Sequence, residues 1–126
     1  MRVSASRFIE LYFGGSVDRA LIIRQPHIGK ILNGIKTWEM RSTSTKIRGK
    51  IGLIESGSGM IVGEVEIERV YGPLPTEHLK HNKDKHQCSV TDLVKWRYAW
   101  VLKNAKRYDK PKPYAHPKGA VIWVKI

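Results

Sequence analysis

The stretch from Ile61 to Glu68 constrains the fold more than any other, because Ile61, Gly63, Val65 and Ile67 alternate with Glu64, Glu66 and Glu68. Strand side chains point to opposite faces with period two, so this pattern describes a half-buried strand rather than a helix. Its apolar face needs a core, and other short runs can supply one. Ala20 to Ile23 and Ile51 to Ile54 are strand-like, Tyr98, Trp100 and Leu102 alternate with Ala99 and Val101, and Ala120 to Ile126 reads as a closing strand. After Pro26, the residues Ile28, Ile31, Leu32 and Ile35 recur at helical spacing, with Gly34 as a natural stop. Ser89 followed by Asp92 resembles a capping box and predicts a helix through Val94 and Trp96. Phe8 to Phe13 is a brief apolar segment of open type, set off by Gly14-Gly15. Ser42 to Arg48 and Glu55 to Gly59 read as turns, and Tyr108 to Gly119, with Pro111, Pro113 and Pro117, as a loop barred from a central strand. The expectation is an α+β, mostly β domain: a small curled sheet or barrel with two or more short helices.

At 126 residues the chain is long enough for one domain with its own core, without disulfides or a structural metal. The single cysteine, Cys88, excludes an intrachain disulfide and fits a reducing compartment. No apolar run approaches the ~20 residues of a membrane span. Met1 to Arg7 lacks acidic residues, but Glu10 and Asp18 follow soon after, which argues against a transit peptide. A soluble, cytoplasmic protein with no membrane partner is expected.

Charge points to a partner. The chain carries 23 Lys and Arg against 11 Asp and Glu, a formal net charge of +12 that favours a polyanion. Lys95, Arg97, Lys103, Lys106, Arg107, Lys110, Lys112 and Lys118 are opposed in their span by Asp109 alone, and Trp96, Tyr98, Trp100, Tyr108 and Tyr114 lie among them. Cations for phosphates alternating with rings for bases describe a nucleic-acid surface; the plainer alternative is a solvated basic face, with Trp100 in the core.

The segment Lys36-Thr37-Trp38-Glu39-Met40-Arg41 places polar groups where a core strand is expected. Read as a strand, it points Thr37, Glu39 and Arg41 to one face and Trp38 and Met40 to the other. That row is either a solvated edge, with Glu39 and Arg41 forming an ordinary surface pair, or the lining of a pocket. As a pocket, Lys36 and Arg41 would hold an anion and Glu39 would accept hydrogen bonds from the exocyclic amine of a base.

Together with Ile22-Ile23-Arg24-Gln25-Pro26 and Ile31-Leu32-Asn33-Gly34-Ile35, these residues resemble the signature of ASCH domains, an apolar strand, Pro, a helix, then Gly-x-Lys-Thr-x-Glu-x-Arg. Ile54-Glu55-Ser56-Gly57, Ile61 to Val65, Tyr98-Ala99-Trp100 and Ala120 to Trp123 extend the likeness, so residues 20–126 read as the ASCH domain and 1–19 as an N-terminal extension. The resemblance implies a PUA-like β-barrel that binds RNA in a cleft beside the first helix, with Gln25, Lys36, Thr37, Glu39, Arg41 and Ser56 as nucleotide-pocket residues. The RNA surface would comprise Lys95, Arg97, Tyr98, Lys106, Arg107, Lys110, Lys112, Tyr114 and Lys118.

The alternative is an enzyme: a metal-assisted ribonuclease on single-stranded RNA, or a 4-acetylcytidine amidohydrolase, as branches of the family are. Lys36, Glu39 and Glu66 would then be the catalytic candidates, and a divalent metal would serve only the ribonuclease; otherwise no cofactor is expected. The amidohydrolase threonine does not transfer, because Glu39 stands three residues after Lys36 and a carboxylate cannot replace a hydroxyl that forms and releases an acyl group.

His78, His81, His86 and Cys88 are ligand types suited to zinc, but Lys80, Lys83 and Lys85 lie among them and the spacing matches no common site. A polar surface loop is the better reading, and no metal site is assigned. His27 and His116 could border the cleft, with no base or nucleophile beside them in sequence. Cys88 has no sequence-local reason to be reactive.

Overall fold

The alternation at Ile61 lies within the second-longest strand among the described residues. The structure, a computed structural model, describes residues 17–126; the Phe8–Phe13 segment and most of the 1–19 extension lie outside the described residues. In chain order the elements are β1 (Arg19–Ile23), α1 (His27–Leu32), β2 (Trp38–Arg41), β3 (Gly49–Glu55), β4 (Met60–Tyr71), α2 (Thr76–His81), α3 (Lys83–His86), α4 (Val90–Leu93), β5 (Tyr98–Pro113) and β6 (Trp123–Lys125). No helix among the described residues is long and apolar enough to cross a membrane.

All six strands join one sheet in the order β2-β5-β4-β3-β1-β6. β1 and β3 run parallel, with Leu21 opposite Leu53, and the other pairs are antiparallel. The parallel pair requires a crossover, which α1 and β2 provide. β2 and β6 form no ladder with each other, so the sheet curls into a half-barrel and the expected closed barrel is corrected. These end strands are short, with four and three residues.

α1 buries Ile28, Ile31 and Leu32 against Leu21, Ile23, Ile51, Leu53, Val65 and Ile67. Each such side chain contributes roughly 1.5–3 kcal/mol at most on burial. Gly63 permits the close approach: a Cβ there would stand 2.6 Å from Leu32 Cδ2 and 2.5 Å from the Lys106 carbonyl oxygen. A second cluster, formed by Trp38, Met40, Leu79, Cys88, Leu93 and Ala99, seats α2 and α4 on the other face of β2.

Several expectations change. Ile35 belongs to no buried stripe; Gly34 adopts a φ of 78° beyond α1 and leaves Ile35 54% exposed. Ser89 Oγ accepts from the Asp92 N–H as anticipated, but α4 ends at Leu93, short of Trp96. The proposed loop from Tyr108 is strand as far as Pro113, with Lys112 opposite Ile61 and Pro113 opposite Met60. β2 pairs only with Tyr98–Val101, so this part of β5 has an open edge where proline loses no ladder bond.

Candidate functional site

The open seam of the half-barrel is where the sequence motif comes to lie. On β2, Trp38 and Met40 enter the second cluster while Glu39 and Arg41 line a cavity of about 210 Å³ between β2 and the end of β1. Its wall also includes Arg24, His27, Ser56, Cys88, Trp96 and Val121. Arg41 spans the seam: Nη2 donates to the Ile22 carbonyl at 3.0 Å and lies 2.8 Å from Glu39 Oε2 as an ion pair, and Nε donates to the same Oε2 at 3.0 Å. The guanidinium also lies 5.6 Å from the Trp100 ring centroid, so four contacts fix its plane.

Glu39 is only 5% exposed. Its Oε1 has Lys36 Nζ at 3.9 Å, an ion pair beyond hydrogen-bond range. The Lys36 side chain is wholly buried beneath this floor, which corrects the expectation that it reaches an anion in the pocket. The cause is local: after Gly34 the N–H groups of Ile35 and Lys36 both donate to the Lys30 carbonyl, turning the chain inward. Lys36 Nζ then donates to the His86 carbonyl and to Cys88 Sγ at 3.5 Å. Burial holds its pKa below 10.5, with Glu39 and Cys88 opposing the shift, and burial likewise pushes the Cys88 thiol up against the pull of Lys36.

His27, the first residue of α1, meets Trp96 edge-on at 6.2 Å across the cleft, and its Nδ1 is buried without a hydrogen-bond partner. Burial and then Lys36 lower its pKa. His86 uses both ring nitrogens: Nε2 lies 2.6 Å from the Leu79 carbonyl and Nδ1 accepts from the Cys88 N–H at 3.0 Å. That pair of bonds assigns the proton to Nε2 of a neutral ring. His86 is therefore structural rather than part of a surface loop, whereas His78 and His81 are exposed. Among the described residues, no three His, Cys, Asp or Glu side chains gather as metal ligands.

The remaining predicted residues divide. Ser56 lines the cleft. Gln25 is exposed beside it, donating to Glu55 at 2.5 Å and accepting from the Gly29 N–H at 3.1 Å. Thr37 is exposed and borders a separate hollow with Gly34 and Leu102. Glu66 points away from the buried face of β4 and accepts from Asn104 at 3.1 Å, so it does not join Lys36.

Lys106, Arg107, Lys110 and Lys112 are exposed along the free half of β5; Arg107 donates to Asn33 at 2.9 Å, and Lys112 lies 5.0 Å from the Tyr108 ring centroid. Lys95 and Lys118 are exposed outside β5, and Tyr114 bonds His116 at 2.7 Å. Tyr98 packs on the first core, and Arg97 donates to the Leu74 carbonyl at 3.2 Å, beside the helices. Sequence reasoning missed Arg24 and Cys88 as cleft residues. Arg24 adjoins Gln25 in the motif and could have been found; nothing local marked Cys88.

Two further cavities adjoin the cleft. One, of about 200 Å³, shares Arg41 and Trp96 with it, and the other, of about 460 Å³, shares Ile22, Ser56 and Val121.

A mostly β half-barrel whose seam holds a charged cleft beside a short helix is consistent with the PUA-like fold that the motif implies. Residues 21–112 match the ASCH domain pattern, and the chain belongs to that family. Among solved structures it is similar to ASCH from Zymomonas mobilis at a TM-score of 0.67 and 12% identity, covering 86% of each chain. Two mutant forms of that protein match with TM-scores of 0.68 and 0.66 at 13% identity, covering 86% of this chain and 87% and 88% of theirs. At these identities the likeness establishes the fold. No curated protein sequence matches the chain.

Proposed function

We propose that this ASCH domain binds single-stranded RNA and seats one nucleotide in the cleft at the seam of the half-barrel. The observation that carries the reading is the Glu39–Arg41 pair. One carboxylate oxygen is held by the guanidinium, while the other faces the Lys36 ammonium at 3.9 Å, and Glu39 lines the cleft. An acceptor next to a cation suits the N–H edge of a base and its adjoining phosphate. The net charge of +12 and the cations of β5 supply the salt-sensitive attraction that any RNA would feel. Binding is favoured over amide hydrolysis because Lys36 is engaged by a carbonyl, a thiol and a carboxylate, with no hydroxyl nucleophile among its contacts.

Fluorescence anisotropy with short labelled RNAs of each base, over a range of salt, tests the proposal. Binding that weakens steeply with salt and drops about tenfold or more on Arg41→Ala is expected, with the RNA recovered intact after incubation with or without Mg²⁺. Absence of salt-dependent binding to every RNA would overturn it. Cleavage lost in Glu39→Gln would replace it with a nuclease.

A further inference from the structure

We infer that the cavity beside the cleft is a second nucleotide site, so that the smallest RNA the domain fully recognises is a dinucleotide whose linking phosphate lies over Arg41. The inference rests on the RNA reading above and extends it to a site of its own. The cavity, of about 200 Å³, is lined by Arg41, the hydroxyl run Ser42 to Thr45, Trp96, Trp100, Ile122 and Trp123. Aromatic rings, hydroxyls and one guanidinium are the groups that hold a stacked base, a ribose and a phosphate.

Its rings are set in place before any ligand arrives. Trp100 is 2% exposed, and its Nε1 donates to the Thr43 carbonyl at 2.9 Å, fixing the hydroxyl-bearing turn. Trp123 stacks on Trp100 at 6.0 Å with an interplanar angle of 13°. Trp96 and Trp123 are only half-buried and line the cavity, so aromatic surface remains for a base.

Arg41 and Trp96 are common walls of this cavity and the cleft. Arg41 uses Nε and Nη2 to hold Glu39 and the Ile22 carbonyl, while Nη1 makes none of these bonds. A donor fixed at the boundary of two nucleotide-sized cavities fits the phosphodiester that links their occupants. The other cavity adjoining the cleft has Tyr114 and His116 but no lysine or arginine in its lining, so the phosphate is favoured on the Arg41 side.

Intrinsic tryptophan fluorescence and calorimetry on the full chain test this, with the four nucleoside monophosphates, the four homodinucleotides, and dinucleotide analogues abasic at the 5′ or 3′ position as probes. A dinucleotide is expected to bind at least about tenfold tighter than its mononucleotide and to quench tryptophan emission, and an abasic residue at one position should abolish that gain. Trp123→Leu is expected to bring dinucleotide affinity to the mononucleotide level while mononucleotide affinity stays within about twofold; the abasic analogues make the same test on the unaltered protein. Equal affinity for mononucleotides and dinucleotides, or indifference to both abasic positions, would overturn the second site while leaving RNA binding standing. If neither these probes nor longer RNAs bind, the RNA reading fails, and the second site with it.

Discussion

The seam cleft and the free half of β5 are both cationic, yet their charges are held in opposite ways. At the cleft floor and beneath it, Glu39 and Lys36 are 5% and 1% exposed, and each contacts defined protein groups. Along β5, Lys106, Arg107, Lys110 and Lys112 are exposed to water. A desolvated charge is costly unless its partners are fixed, so the cleft is a rigid arrangement that can distinguish ligands. A solvated charge costs little and is screened by salt, so β5 can attract a polyanion without reading it.

The largest separation between the regions should appear in folding. Lys36→Ala removes the ammonium that bonds the His86 carbonyl and faces Glu39 and Cys88, leaving buried polar groups without their partner. A loss of about 3 kcal/mol is expected from urea unfolding. Replacing Lys106, Lys110 and Lys112 together with alanine should change stability by less than about 0.5 kcal/mol per site. If the two proteins unfolded at the same urea concentration, the distinction between fixed and solvated charge would collapse.

Salt gives the next largest effect, with the roles exchanged. Three cations meeting phosphates on single-stranded RNA contribute about 2 to the slope of log affinity against log salt, at roughly 0.7 each. The triple alanine protein should lose that much slope and retain its preference among bases. Glu39→Gln should keep the slope and lose about tenfold in preference, because the amide is a poorer acceptor and releases Arg41 from its charged partner. Anisotropy titrations at four salt concentrations measure both quantities. A preference lost from the β5 variant would move the reading of bases out of the cleft.

Much of this division was legible in the chain. Period two correctly placed Ile61, Val65 and Ile67 inside and separated Trp38 and Met40 from Glu39 and Arg41, because strand alternation is a property of the backbone. The depth of Lys36 was not legible, since it depends on the turn at Gly34 and on His86 and Cys88, about 50 residues away. The strand through Pro111 and Pro113 was missed because proline's cost depends on whether a neighbour sits on its N–H side. The aromatic walls likewise assemble from Trp96, Trp100 and Trp123, which only the sheet order brings together.

The smallest expected effect concerns protons and sharpens the same contrast. Burial, with Lys36 and Lys83 adding to it, holds the His86 pKa below the ordinary 6.5, against the Leu79 carbonyl that favours the charged ring. Protonation would also place a second proton on Nδ1, which accepts from the Cys88 N–H. As pH falls through 6.5 the unfolded chain binds this proton before the folded one does, so stability declines until the folded ring also protonates. His27, lowered by burial and Lys36, acts in the same direction. Each ring contributes at most one proton, about 1.4 kcal/mol per pH unit within its window. Urea unfolding between pH 7.5 and 5 should show this decline, and His86→Gln should reduce its slope even if the variant starts from lower stability. Stability that stayed flat or rose toward pH 5 would mean that the buried imidazole is not held neutral, and that the groups around Lys36 are more open to water than the cleft requires.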